Sequence, residues 1–263
     1  MENKNKFLKI GDKVVYKKKT EGLEYDLEPS IVYTVDVDRW SDEITLTKTT
    51  TLALPTKVYT TEQDDKFVNK VVDCFHNRTD YTLGVMLSGL KGSGKSVEAK
   101  IIANKSNLPI IAVDKYLKPH VLKKLFDMFE GLEVCYLFDE IDKIGENYDD
   151  DYLLQLLDGI NTKSKSLFLF TANDTRNINE YLKNRCSRIR YWREFDTMSE
   201  LMIKTVLEDK LNNKDNIDDI VHFIKKRFDC ISFDNVCSFI DEINAYPDSS
   251  FEDLFNDMNL SKK

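Results

Sequence analysis

Histidine, proline and glycine are scarce in this chain of 263 residues: three, five and nine in all. Three histidines without helical pairing argue against a histidine-rich metal site. The five cysteines (74, 135, 186, 230 and 237) are odd in number and nowhere form Cys-x-x-Cys. They read as reduced thiols of an intracellular protein rather than as a disulfide or zinc framework. No apolar run approaches the ~18 residues of a membrane span, and Met1-Glu2-Asn3-Lys4-Asn5-Lys6 leads into no signal-peptide stretch. Positive charge is not in excess. Lys and Arg number 38 against 46 Asp and Glu, a net charge of −8, which argues against a blanket affinity for nucleic acid or anionic lipid while leaving room for a local basic stripe. Internal repeats and low-complexity segments are missing too. What is present is a composition 41% hydrophobic and 11% aromatic, enough to bury a core and to exclude disorder. Together these features predict a soluble, cytoplasmic chain with one large domain or two smaller ones.

Three textures divide it. Residues 1–60 alternate in character, as in Ile31-Val32-Tyr33-Thr34-Val35-Asp36-Val37 and Glu43-Ile44-Thr45-Leu46-Thr47, and predict short antiparallel strands closing a small β-barrel-like module. The alternative is a β-extension packed on the main domain. Residues 61–196 change to near-continuous apolar runs, Thr82–Ser88, Pro109–Val113, Val134–Phe138 and Ser166–Thr171, with helical segments between them. Runs of this kind predict buried parallel strands in a helix-covered α/β sheet. Residues 197–263 read as amphipathic helices, and they are acidic, with 14 Asp and Glu against eight Lys and Arg.

The chemistry concentrates in the middle. Gly89-Leu90-Lys91-Gly92-Ser93-Gly94-Lys95-Ser96, followed by Val97, fits G-x-x-x-x-G-K-[ST]. In that pattern glycines turn successive backbone N–H groups toward phosphate oxygens, the lysine reaches the β- and γ-phosphates, and the hydroxyl ligates Mg²⁺. The helix that follows points its positive end at the same charge. Next comes the strand Val134–Phe138 and, directly after it, Asp139-Glu140. Phosphoryl transfer to water needs a carboxylate in the metal shell and a group to activate the nucleophile; Asp139 suits the first and Glu140 the second. Asn173 follows a third apolar strand, where ligands bind in α/β sheets. It is a candidate to hold the attacking water or touch the γ-phosphate, and equally a plain turn residue. Arg185, Arg188 and Arg190 form either a solvated basic edge or an arginine finger, with Arg185 the first choice and Arg188 in support.

In this order the segments resemble the Walker A, Walker B and sensor 1 elements of the AAA+ ATPases. Leu153–Gly159 resembles the helix that follows Walker B in the protein-remodelling branch. The resemblance covers roughly residues 62–263. It implies an α/β P-loop AAA+ core with a C-terminal helical lid, binding ATP and Mg²⁺ and hydrolysing ATP as a ring oligomer, six-membered in expectation. It also implies that the finger reaches a neighbouring subunit's nucleotide. Arg185 and Arg188 have the R-x-x-R spacing of the remodelling branch, whereas Asn184-Arg185-Cys186 also resembles a clamp-loader element. An activity in DNA metabolism, and a nucleotide-gated adaptor with little turnover, therefore stand as alternatives. Lys115-Tyr116-Leu117 resembles a shortened substrate-gripping pore loop, with Tyr116 equally a helix cap or a packing residue, and Ser232–Val236 stands where some branches carry a sensor 2 arginine. The N-terminal module resembles the recognition domains placed before such motors. It is therefore expected to bind a protein partner and to be dispensable for ATP binding in a chain starting near Thr60. Abundant Lys and Asn with little Gly, Pro and Ala fit an AT-rich, viral source.

Overall fold

The computed structural model describes residues 6–10, 12–17, 26–38, 40–49, 52–78, 82–113, 117–143, 164–175, 189–258 and 260. Their strands are β1 (Lys6–Ile10), β2 (Lys13–Lys17), β3 (Val32–Val37), β4 (Ile44–Lys48), β5 (Leu83–Gly89), β6 (Ile110–Val113), β7 (Val134–Phe138), β8 (Ser166–Ala172) and β9 (Ile189–Phe195). The helices are α1 (Glu62–His76), α2 (Lys95–Lys105), α3 (Pro119–Met128), α4 (Glu200–Lys210), α5 (Ile217–Arg227), α6 (Phe233–Ala245) and α7 (Phe251–Asp257). All nine strands join one sheet in the order β1-β2-β4-β3-β6-β7-β8-β5-β9. The pairs from β3–β6 to β5–β9 are parallel and the N-terminal ones antiparallel. From β3 to β9 this is the parallel α/β sheet expected from the sequence, extended at one edge by the antiparallel N-terminal strands. Among the described residues no helix is long and apolar enough to cross a membrane.

The apolar runs are continuous because both faces of the parallel strands are covered. On β7, Val134, Tyr136 and Phe138 enter one core while Cys135 and Leu137 enter the other; β8 divides in the same way, Phe168 and Phe170 against Leu167 and Leu169. The first core packs under α3 through Val121, Leu122, Leu125 and Phe126. Its centre is an aromatic cluster in which Tyr136 stacks on Phe168 at 4.7 Å between ring centroids and Phe138 on Phe170 at 5.2 Å. The second core holds Val68, Val71 and Phe75 of α1 with Ala99, Ile102 and Ala103 of α2. Helix α1 starts where Thr61 and Asp64 form a reciprocal capping box, satisfying two end donors at once. The four C-terminal helices have a core of their own around Val206, Leu207, Ile224 and Phe239. Three of them start at serine caps, Ser199, Ser232 and Ser250.

Among the described residues the N-terminal strands form no separate barrel of the kind expected from the sequence. Strand β3 pairs in parallel with β6, Val32 opposite Ile110 and Thr34 opposite Ala112, so the first four strands continue the main sheet. Phe7, Val14, Tyr33, Val35, Ile44 and Leu46 belong to the same core as Phe129 and Tyr136, and the Phe7 and Phe129 rings lie 5.6 Å apart. The physical reason is burial. Alternation leaves each N-terminal strand with a single apolar face, and a few short strands cannot cover such faces alone, whereas the edge of β6 and the side of α3 offer partners. The β-extension alternative is the one observed. A chain truncated to begin at Thr60 is accordingly expected to lose cooperative folding. Thermal unfolding and gel filtration of that truncation check it: a sharp transition at the full-length temperature would show that these strands add nothing to the core.

Candidate functional site

The loop between β5 and α2 is shaped by what it touches. Gly89 has φ +127°, and a Cβ there would lie 2.1 Å from the carbonyl oxygen of Phe195. The next residue, Leu90, donates its N–H to that same oxygen at 2.9 Å. Only glycine accommodates both the backbone angle and the approach. Gly92 has φ +72°, and its missing Cβ would lie 2.7 Å from the Cβ of Asp234; the Asp234 N–H donates to the Gly92 carbonyl at 3.1 Å. The loop is thus clasped between the end of β9 and the start of α6. Lys95 folds back over it, donating to the carbonyls of Gly89 (2.9 Å) and Leu90 (2.6 Å). It is only 5% exposed. Burial lowers its pKa, opposed by the charges of Asp142, Asp139 and Glu140.

The ends of β7 and β8 meet this loop. The Ser96 hydroxyl donates to Asp139 Oδ1 at 2.8 Å, and Thr171 Oγ1 donates to the same oxygen. Thr171 Oγ1 also accepts the N–H of Glu140 at 2.9 Å. That bond holds Glu140 at φ +55°, a left-handed conformation uncommon outside glycine and typical of functional sites. One Glu140 oxygen, Oε1, accepts from Asn173 Nδ2 at 3.2 Å, and the other pairs with Lys143. Asp142 Oδ1 accepts the Asn173 N–H at 3.1 Å and Oδ2 the Asp174 N–H at 3.4 Å, tying the β8 turn to the 3-10 turn Ile141–Lys143.

A cavity of about 350 Å³ opens beside the loop, between the segment before α1, the start of α2, the end of β9 and helices α4 and α6. Tyr59, Val97, Ile101, Met198, Met202 and Phe233 supply apolar wall, and Asp64, Glu98 and Arg193 supply a charged one. The segment is fastened to α4 by Lys57 and Tyr59, both bonded to Asp209. Tyr59 also packs on Phe233 at 5.4 Å between ring centroids. Burial raises the Tyr59 pKa to about 12. Burial raises the Glu98 pKa to about 7 in spite of Arg193. At Asp64 burial is outweighed by its bonds to Thr61 and Arg193, and its pKa falls.

The residues fit a nucleoside triphosphate with its metal. The Ser93 hydroxyl is buried in the loop without a hydrogen-bond partner among the described residues, and helix α2 starts at Gly94 with no side-chain cap. Both leave polar groups for phosphate oxygens. Among the described residues no group of three or more His, Cys, Asp and Glu could by itself hold a metal ion. The pair Ser96 and Asp139 instead matches Mg²⁺, which takes one or two protein oxygens and fills its shell with water and phosphate. Of the residues expected from the sequence, Gly89 through Val97, Asp139, Glu140 and Asn173 come together here. Arg185 and Arg188 lie outside the described residues, as do Lys115, Tyr116 and the Leu153–Gly159 segment. Thr171, Lys143, Glu98 and Arg193 were given no role from the sequence. The hydroxyl two residues before Asn173 was a visible signal for the first; nothing in the spacing marks the others.

A glycine-rich loop at the carboxyl end of parallel strand β5, with adjacent acids after β7 and only β8 between the two strands, defines a P-loop fold. The family model for the ATPase family associated with various cellular activities (AAA) matches residues 85–194. A 26S proteasome regulatory subunit 7 homolog of Schizosaccharomyces pombe is 30% identical over 121 residues, 38% of this chain and 28% of that protein. A solved structure described as the structural basis for katanin self-assembly superposes with a TM-score of 0.52 at 17% identity, covering 74% of this chain and 72% of that one. Residues 85–194 thus resemble an AAA ATPase domain, and the chain spans under a third of the length of the proteasomal relative it matches.

Two substitutions test the construction of the site. Gly89→Ala would drive a Cβ into the Phe195 carbonyl at a left-handed φ. It is expected to abolish nucleotide binding and cost about 2 kcal/mol or more, read by calorimetric titration and chemical denaturation. Thr171→Val deletes the hydroxyl shared by Asp139 and Glu140 and should cost about 1–3 kcal/mol in a denaturant titration. An unchanged midpoint would remove Thr171 from the network.

Proposed function

We propose that this protein is a Mg²⁺-dependent ATP hydrolase that works as a ring oligomer to remodel a protein or macromolecular complex. The observation that carries the reading is the hydrogen-bonded chain Ser96–Asp139–Thr171–Glu140–Asn173 beside the Lys95 loop. The backbone N–H groups of residues 89–97 hold phosphate oxygens, with Lys95 placing its charge on them. Ser96 Oγ and an Asp139 oxygen, now bonded to each other, are the groups that would hold Mg²⁺, which would supply positive charge beside the phosphate oxygens. The bound Mg-ATP supplies the phosphoanhydride that is broken. A Glu140 carboxylate oxygen accepts the proton of the attacking water, and Asn173 orients that carboxylate and the water. The cavity beside the loop takes the nucleoside, its apolar wall covering the base.

Residues 61–196 act as the motor and 197–263 as its lid. Arg185, supported by Arg188, completes the site of a neighbouring subunit, where a guanidinium offsets charge developing on the γ-phosphate. Likeness to a katanin self-assembly structure and to a proteasomal regulatory subunit supports assembly, with six subunits the proposed number. Residues 1–60 recognise the partner. Trp40, 97% exposed, sits on the β3–β4 turn, which Asp38 stiffens by accepting from Trp40 N, Ser41 N and Ser41 Oγ.

Steady-state phosphate release and ATP binding test the roles together. Lys95→Ala should lose binding. Glu140→Gln should keep it and hydrolyse at least about a hundredfold more slowly, within the range of general-base contributions. Wild-type turnover in Glu140→Gln would remove Glu140 from the chemistry. Release from the native chain no faster than from Lys95→Ala would leave a nucleotide-gated switch instead.

A further inference from the structure

Arg193 engages four side chains beside the cavity, those of Asp64, Glu98, Phe67 and Phe195. It stands on β9 two residues before Phe195, whose carbonyl shapes the P-loop. Its Nη1 donates to both oxygens of Glu98 at 3.1 Å, and its Nη2 pairs with Asp64. The guanidinium carbon lies 5.0 Å from the centre of the Phe67 ring and 5.2 Å from that of Phe195. One side chain thus ties three elements: α1 through Asp64, α2 through Glu98, and its own strand. Asp64 carries the tie onward, because its Oδ2 accepts from Thr61 N (2.6 Å) and Thr61 Oγ1 (2.8 Å) at the cap of α1. There the Tyr59 segment turns into the helix.

We propose that Arg193 is the positioning residue that keeps the nucleoside cavity open and correctly shaped before nucleotide arrives, acting through Glu98 and Asp64. The inference rests on the reading that this cavity takes the nucleoside. Two physical arguments support it. Buried ion clusters are poor sources of net stability, since apolar residues of similar volume often replace them without loss. What the guanidinium adds is a planar fork that fixes the direction of each partner, and here those directions set where α1 and α2 stand around the cavity. The second argument is electrostatic. Glu98 and Asp64 line a site for a polyanion, and Arg193 neutralises them where low exposure, 8% and 18% of the side chains, makes water a poor screen.

The test uses the full-length chain, with ATP and ADP as probes in calorimetric titration beside melting temperature and turnover. Arg193→Met should weaken both nucleotides by about tenfold or more (about 1.4 kcal/mol per tenfold) while kcat at saturation stays within about twofold, because lost binding common to ground and transition states appears in KM. Arg193→Lys should recover only part of the affinity, a point charge replacing the fork. The double variant Arg193→Met/Glu98→Met removes the more buried of the two stranded carboxylates; it should restore part of the melting temperature and leave the affinity low. This variant also keeps the test decisive if Arg193→Met alone does not fold. Wild-type affinity in folded Arg193→Met, or in the double variant, would reduce Arg193 to packing and overturn the proposal. Failure of the underlying reading looks different: the native chain would bind neither nucleotide, and Lys95→Ala would match it.

Discussion

The carbonyl oxygen of Phe195 occupies the space where any side chain at residue 89 would have to begin, and the same oxygen accepts the Leu90 N–H. A phosphate-wrapping loop needs backbone donors facing inward, which forces φ values that side chains resist. Here the end of β9 is the mould against which that backbone is cast. Because β9 pairs with β5 in register, Leu87 opposite Arg193 and Gly89 opposite Phe195, one strand both shapes the loop and delivers Arg193 to the neighbouring cavity. The chain then runs directly from β9 into the C-terminal helices, so loop, cavity and those helices share a single support.

Across the sheet a second constraint operates. Asp139 and Glu140 are adjacent in sequence yet meet different partners, and the backbone angle at Glu140 is what separates them. A residue at φ +55° persists only when its surroundings over-determine it. Thr171 supplies that from the next strand by holding the Glu140 N–H and the Asp139 carboxylate with one oxygen. Asp142 anchors the turn carrying Asn173. Ion pairs at partly exposed carboxylates are weak individually. The precision of this corner comes instead from the parallel register of β7 and β8, Phe138 opposite Phe170, with the aromatic stack beneath it.

The N-terminal strands show how such a sheet grows. An exposed edge invites pairing, and β3 takes the edge of β6 while its antiparallel neighbours carry apolar residues over to α3. The consequence is mechanical. The segment that follows those strands, fastened to α4 through Lys57 and Tyr59, forms a wall of the cavity, so the N-terminal strands and the C-terminal helices meet beside it.

Strand positions, the phosphate loop and the acids after β7 were legible in the linear chain because each depends on local rules. Period-two burial on both faces produces continuous apolar runs, and a phosphate cradle demands glycines at a fixed spacing before Lys95. The helices of residues 197–263 were legible for the same reason, through apolar spacing and the serines that cap them. What the linear chain left undetermined involves partners far apart in it. Alternation in Val32–Val37 shows that an apolar face exists but not what covers it, so barrel and sheet extension looked equally good until β6 provided an edge. Glu98 and Arg193 resemble ordinary charged residues in a helix and a strand. Only the packing of α1, α2 and β9 buries them together, and burial is what turns a charge into a constraint. Local patterning by itself determined the elements and the phosphate-loop pattern; the tertiary structure decided which distant groups shape the cavity, because desolvation and steric exclusion exist only once the chain has closed on itself.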